Sequence, residues 1–153
     1  MERRKHRVFL DSNVILSGIF SEGGAPRLIL DLLSLELPVL TGLTGRFNLI
    51  EIERNIGIKM PGALPAWREH LPKLRLEVVP TPSSWDVALL GDAAGKKDLP
   101  VIASAVNGKT DHFVTGDRDL LALIGRREDL PFRAVSPAEF LNVLLPDVLG
   151  RKR

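Results

Sequence analysis

Cysteine is absent from this chain of 153 residues. The fold therefore contains no disulfide bond and no thiolate metal site, and it needs no oxidising compartment. Long apolar runs are also absent, and polar residues at 11–13 interrupt the apolar residues near the charged start of the chain. This start resembles neither a secretion signal nor a membrane span. We therefore expect a cytoplasmic protein with no membrane partner.

Repeats, low-complexity segments and long linkers are missing as well. We expect one domain over residues 1–153, with a core at about 7–145 and mobile basic ends. With 44% hydrophobic and 26% charged residues, the chain can bury a core and is not a disordered tail. A glycine-rich phosphate loop is absent, which argues against nucleotide binding of the P-loop or dinucleotide kind. The net charge of +2 permits a nucleic-acid partner without indicating one.

Short apolar runs alternate with segments of helical spacing along the chain. Strands are predicted at residues 7–10, 38–41, 74–80, 111–117 and 132–136. The predicted helices include 12–20, 25–36, 43–59, 98–107, 118–125 and 136–145. This alternation predicts a three-layer α/β/α fold, in which a parallel sheet of about five strands is covered by helices on both faces.

Two aspartates follow predicted strands at the place where open α/β sheets bind ligands. Asp11 comes directly after the first strand, and Asp117 follows the strand HFVT, past a glycine that lets the backbone turn. If the two strands are neighbours, the two carboxylates converge. Each aspartate could instead simply cap the helix that follows it. Two aspartates at corresponding strand ends favour a shared site over two separate caps.

Three further acids lie near predicted helices. Asp98 opens the helix 98–107, where it could serve the site or only cap the helix. Glu51 and Glu53 are two residues apart in one helix, so they point to nearly opposite sides and cannot both enter one site. Glu53 precedes Arg54 and is typical of a solvated face. Glu51 has apolar neighbours, which suits a helix side turned toward the sheet, although it could also be an exposed glutamate.

Crowded carboxylates repel each other unless a cation enters between them. Oxygen ligands without cysteine or histidine suit Mg²⁺ or Mn²⁺ rather than zinc. Such an ion can activate water and stabilise charge that develops on a phosphate. His6, His70 and His112 lie outside these motifs, and we interpret them as surface or packing residues.

Four segments, in this order, resemble the PIN domain family of metal-dependent ribonucleases: FLDSNVILSGI, EIERNI, DLPVIASAV and FVTGDRDLL. Many members of the family are toxins of bacterial and archaeal toxin–antitoxin pairs. The resemblance spans about residues 7–141. Its first and last segments are fairly specific, whereas the glutamate helix is a weak signal alone. The resemblance implies a PIN-like fold with five parallel strands, and an endoribonuclease that uses Mg²⁺ or Mn²⁺.

The resemblance also assigns roles to residues. The catalytic acids, which would also hold the ion, are Asp11, Glu51, Asp98 and Asp117. A fifth metal-binding acid, found in some members, matches Asp119, and the polar residues that would orient water or phosphate are Ser12, Asn13 and Thr115. Weak candidates for contacts with the RNA backbone, each a surface charge by default, are Lys96, Lys97 and Arg118. The glutamate register could slip to Glu53.

The expected partners are RNA, a small antitoxin protein and, by analogy only, a second copy of the chain. Three alternatives remain open: a non-catalytic PIN-like module that binds RNA or protein, a stand-alone nuclease of RNA processing or decay, and a doubly wound phosphoryl-transfer protein. An aspartate-nucleophile phosphatase of the last class needs a second acid at position 13, which is Asn13.

Overall fold

Five strands and eight α-helices alternate in the computed structural model, which describes residues 5–91, 95 and 97–150. The strands are β1 (His6–Leu10), β2 (Leu40–Gly45), β3 (Glu77–Val79), β4 (His112–Val114) and β5 (Arg133–Val135). The α-helices are α1 (Ser12–Phe20), α2 (Ala25–Ser34), α3 (Arg46–Lys59), α4 (Leu64–His70), α5 (Ser84–Ala88), α6 (Leu99–Asn107), α7 (Arg118–Gly125) and α8 (Pro137–Val148). The basic ends at 1–4 and 151–153 lie outside the described residues.

The five strands form one parallel sheet in the order β3-β2-β1-β4-β5. From the central strand β1 the chain moves outward through β2 and β3, then returns to add β4 and β5 on the other side. The reversal of direction between β1 and β4 is a topological switch point, where sheets of this class bind ligands beyond their carboxyl ends. The predicted three-layer α/β/α fold is thereby confirmed.

Both faces of the sheet are buried, since alternate residues of β1 enter different cores. Val8 and Leu10 pack with α1, α2, α3, α4 and α8, whereas Phe9 packs with α6 and α7. Phe9 stacks on Phe113 of β4, with ring centroids 5.4 Å apart. Because the sheet is buried on both faces, the sequences of its central strands are continuous apolar runs.

The second strand differs from its prediction. We expected it at 38–41 with a helix from 43, but β2 covers Leu40–Gly45 and α3 begins at Arg46. The sequence LTGLTG is a poor strand signal because glycine weakens strands. Packing explains the first glycine, since a Cβ at Gly42 would lie 2.7 Å from Leu33 Cδ2.

Other predicted boundaries also shift. The edge strand β3 is only Glu77–Val79, and β4 is His112–Val114, so both are shorter than predicted. Helix α8 continues through Pro146 to Val148, beyond the predicted end at 145. Its predicted N-cap is confirmed, because the Ser136 side chain accepts a hydrogen bond from the Glu139 backbone. Within the described part of the chain, no helix is both long and apolar enough to cross a bilayer.

Candidate active site

The pairing of β1 with β4 places Asp11 beside Thr115, one residue beyond the aligned pair Leu10 and Val114. Asp11 is the N-cap of α1, and its side chain is buried. Its Oδ1 accepts a hydrogen bond from the Ser12 backbone N–H at 2.9 Å. Its Oδ2 accepts one from the Thr115 hydroxyl at 2.7 Å and one from Asn13 Nδ2 at 3.3 Å. These donors fix the orientation of the carboxylate.

Thr115 and Asn13 connect Asp11 to the turn that carries Asp117. The Thr115 hydroxyl oxygen accepts the backbone N–H of Asp117 at 3.1 Å. Asn13 Oδ1 accepts the backbone N–H of Gly116 at 3.0 Å, and its Nδ2 also lies 3.3 Å from Thr115 Oγ1. The start of α1 and the turn after β4 therefore form one hydrogen-bonded unit, and these two predicted supporting residues lie at its centre.

Asp117 is exposed and is the N-cap of α7. Its Oδ1 accepts the backbone N–H groups of Asp119 at 2.9 Å and Leu120 at 3.2 Å. Asp117 therefore does cap α7, but capping uses only one of its two oxygens. Within the described residues, Oδ2 takes no hydrogen bond. Asp119 is exposed beside it, in the first turn of α7.

Asp98 lies half-buried at the N-cap position of α6, yet its side chain makes no capping hydrogen bond. Burial raises the pKa of Asp11 above its ordinary value, and the nearby carboxylates of Asp98 and Asp117 raise it further, against the hydrogen bonds from Thr115 and Ser12 that lower it. Across the residues that the structure describes, none of these three aspartates forms an ion pair. The carboxylates therefore lie near one another without an ion-pair partner among the described residues.

The two candidate glutamates of α3 have different surroundings. Glu53 Oε1 accepts hydrogen bonds from Arg68 of α4, at 2.9 Å from Nε and 2.7 Å from Nη2. Glu51 is half-buried, and it makes no hydrogen bond or ion pair among the described residues. The ion pair of Glu53 favours Glu51 as the acid of this helix.

Asn48 is a polar residue of this region that the sequence motifs did not indicate. It lies in α3 with no exposed surface, and its Nδ2 donates to Ser12 Oγ at 2.9 Å. The sequence does contain one indication that Asn48 is unusual. Asn48, Ile52 and Ile56 follow helical spacing on the buried face of α3, so an amide occupies a position where an apolar residue is expected.

The donor chemistry of the site fits a divalent cation such as Mg²⁺ or Mn²⁺. The side chains are carboxylates, and burial together with the charges of Asp98 and Asp117 raises the pKa of Asp11, an effect that a bound cation would oppose. No three acidic or histidine side chains among the described residues are grouped closely enough to hold an ion together. The carboxylates thus gather at one edge of the sheet without forming a closed cage.

Two of the three predicted RNA contacts lie within the described residues, and each is adjacent in the chain to an aspartate of the candidate site. Arg118 is exposed at the start of α7, between Asp117 and Asp119. Lys97 is exposed immediately before Asp98. Lys96 lies outside the described residues. Exposed cations next to the carboxylates are compatible with binding a phosphate backbone.

No protein-family model matches the sequence, and no curated protein matches it at a significant level. Solved structures do resemble the fold. VapBC2 from Rickettsia felis, bound to a DNA fragment from its promoter, matches with a TM-score of 0.62 and 15% identity, over 85% of this chain and 98% of that chain. DNA-bound VapBC from Salmonella typhimurium matches with a TM-score of 0.58 and 18% identity, over 86% and 98%. These likenesses establish that the chain has a PIN-like fold, as its motifs predict.

Proposed function

We propose that this protein is a metal-dependent endoribonuclease that hydrolyses phosphodiester bonds of RNA. The observation that carries the proposal is the buried carboxylate of Asp11, placed at the switch point of the sheet within electrostatic reach of Asp98 and Asp117. A buried acid with two acidic neighbours and no cationic partner costs stability, and such groups are concentrated at functional sites. Glu51 would be the fourth acid, and Asp119 a fifth in reach of the same edge.

Asp11, Asp98, Asp117 and Glu51 would hold Mg²⁺ or Mn²⁺. When bound, such an ion supplies charge neutralisation at the phosphate and activation of a water nucleophile. The protein's own contribution is orientation. Thr115 and Asn13 hold the carboxylate of Asp11 and the backbone at Asp117 in one arrangement, which leaves Asp117 Oδ2 and the Asp98 carboxylate available as ligands.

Ser12 and the exposed cations would act on the RNA itself. Ser12 is half-exposed next to Asp11, where its hydroxyl can donate to a phosphate oxygen. Arg118 and Lys97 would contact the backbone of the strand, which positions RNA without reading its sequence.

The biological role proposed here is that of the toxin in a toxin–antitoxin pair, acting in the cytoplasm. The solved structures that share the fold are VapBC toxin–antitoxin complexes, which supports an antitoxin partner for this chain. A small antitoxin whose tail covers the acidic edge would hold the nuclease inactive, and a homodimer is expected by analogy with the family.

The test is cleavage of single-stranded and structured RNA by the purified protein, with Mn²⁺, Mg²⁺ or EDTA. Asp117→Asn removes a charge at the site. Asp111→Asn is the matched control, because Asp111 lies at the other end of β4 and accepts a hydrogen bond from the Arg7 backbone at 2.8 Å. We expect cleavage that requires metal, is lost in Asp117→Asn and persists in Asp111→Asn. An absence of cleavage with either metal would favour the binding-module alternative.

A further inference from the structure

The side chain of Asn48 is a buried amide on an otherwise apolar face of α3. It has no exposed surface, and the next residues on its face of α3, Ile52 and Ile56, belong to the apolar core. An amide in such a place is costly unless its polar atoms are used. The use of those atoms therefore indicates why asparagine stands there.

The amide of Asn48 is directed at the residue that follows Asp11. Asn48 Nδ2 donates to Ser12 Oγ at 2.9 Å, and the Ser12 backbone N–H donates to Asp11 Oδ1 at 2.9 Å. Since the amide N–H occupies one acceptor position of the hydroxyl oxygen, the hydroxyl hydrogen of Ser12 must point elsewhere. Among the described residues it meets no acceptor, so it is available to a ligand at the half-exposed side of Ser12.

The other end of the Asn48 amide is held by packing. Oδ1 receives no hydrogen bond from any described residue. It lies against Gly45, where an added Cβ would be 2.8 Å from Asn48 Oδ1 and 3.0 Å from Ser104 Oγ. The Ser104 hydroxyl donates to the Pro100 carbonyl at 2.8 Å instead. The bond to Ser12 is thus the polar contact that Asn48 makes within the described chain.

We propose that Asn48 is a positioning residue that makes the Ser12 hydroxyl an oriented donor to a phosphate oxygen of the bound RNA. The inference rests on the nuclease function proposed above. Asn48 does not touch RNA in this account; it acts only through Ser12. A donor aimed at an oxygen that gains charge in the transition state contributes mainly to kcat, so the loss of Asn48 lowers kcat more than it changes KM.

A double-mutant cycle tests this dependence. Asn48→Ala removes the amide, and Asn48→Asp keeps its shape but replaces the N–H donor with a carboxylate oxygen that would accept the Ser12 hydroxyl hydrogen. Both are measured alone and combined with Ser12→Ala, with kcat and KM for RNA cleavage at saturating Mn²⁺. We expect each single variant to lower kcat about tenfold, a loss smaller than that for a direct transition-state donor. In the Ser12→Ala background, the same changes at position 48 are expected to lower kcat no further.

Asn55→Ala is the matched control, because Asn55 is an exposed asparagine of the same helix. It is expected to keep wild-type kcat. The inference is overturned if Asn48→Ala and Asn48→Asp keep wild-type kcat, or if they lower it equally in both backgrounds. It is also overturned if neither variant folds by circular dichroism, since Asn48 would then be needed for the fold itself. Lack of cleavage by the wild-type protein would instead refute the nuclease function.

Discussion

The acidic residues at the two edges of the sheet have opposite surroundings. At the carboxyl edge, Asp98 and Asp117 lie within electrostatic reach of Asp11, and in the described part of the chain no lysine, arginine or histidine pairs with these acids. Asp11 is also buried, with 9% of its surface exposed. Burial and the two neighbouring carboxylates raise the cost of ionising Asp11.

At the amino edge, two acids pair with basic side chains and a third accepts a backbone N–H. Arg7 of β1 donates its backbone N–H to Asp111 at 2.8 Å and its Nη2 to Glu77 at 2.5 Å. His6 is buried, and its Nε2 lies 2.5 Å from Asp147 Oδ2 of α8. These contacts tie β1 to β3, β4 and α8, so the acids of this edge hold the fold together.

The acids at the amino edge therefore stabilise the fold, whereas the acids at the carboxyl edge lower its stability. A buried carboxylate without a basic partner is costly to ionise even when neutral donors hold it, whereas a carboxylate paired with histidine or arginine is favoured in its charged form. Substitution at the two edges should therefore have opposite signatures in activity and stability.

The largest effect is expected on activity at the carboxyl edge. Asp11→Asn and Asp117→Asn should each lower RNA cleavage by at least about a hundredfold, since loss of an outer-shell partner of a metal ligand already costs 10–100-fold. Initial rates with Mn²⁺ measure this. Asp111→Asn at the amino edge should cleave RNA at the wild-type rate. A similar loss in all three variants would remove the distinction between the edges.

The largest effect on stability is expected at the amino edge. Asp147→Ala leaves the buried His6 without this partner, which should lower the free energy of unfolding by about 1–3 kcal/mol. For a chain of this size the melting temperature should fall by roughly 2–12 °C. Thermal unfolding measures it, with Asp31→Ala, an exposed ion-pair partner of Arg27, as a control with little effect. An unchanged melting temperature for Asp147→Ala would contradict a stabilising role for this edge.

A smaller effect distinguishes the two glutamates of α3. Glu51→Gln should lower kcat about tenfold or more, as expected for a ligand held directly or through water. Glu53→Gln should leave kcat unchanged, because Glu53 is paired with Arg68. Steady-state cleavage by both variants decides between them. The opposite pattern would move the fourth acid to Glu53.

The smallest effect concerns the pH dependence of stability. The pKa of Asp11 is raised in the folded protein, so the fold binds this proton more tightly than the unfolded chain does. Protonation of Asp11 therefore adds to the stability of the fold at low pH. This contribution is lost as the pH rises through the raised pKa, and it is absent at neutral pH. Without divalent cations, we expect Asp11→Asn to melt at a higher temperature than wild type at pH 7.

That difference in melting temperature should shrink as pH falls below the ordinary pKa of aspartate, where Asp11 is protonated in both states. Melting curves in EDTA from pH 3 to 8 follow it. If Asp11→Asn is less stable than wild type at pH 7, and the difference does not change with pH, then ionised Asp11 does not destabilise the fold.

The order of the strands and helices could be predicted because both faces of the sheet are covered. Phe9, Leu10 and Phe113 belong to runs whose apolar character directly reflects burial on two sides. The second strand could not be bounded correctly, because Gly42 and Gly45 serve close packing with Leu33, Asn48 and Ser104 that no local pattern reveals.

The acids of the site were visible in the sequence because they follow strands or open helices. Their partners were less visible. The pairing of Glu53 with Arg68 and of His6 with Asp147 joins residues 15 and 141 positions apart, which only the tertiary fold brings together. Likewise, the spacing of α3 marks Asn48 as a polar residue on an apolar face, but its contact with Ser12 is visible only in the tertiary fold.

The most direct test of the central claim is a measurement of Mn²⁺ binding. Electron paramagnetic resonance detects this binding as a loss of the free-ion signal. The wild-type protein and Asp111→Asn should both bind the ion, Mg²⁺ should compete, and Asp11→Asn should lose the binding. Failure of the wild-type protein to bind Mn²⁺, or equal binding by Asp11→Asn, would contradict a cation site at the carboxyl edge of the sheet.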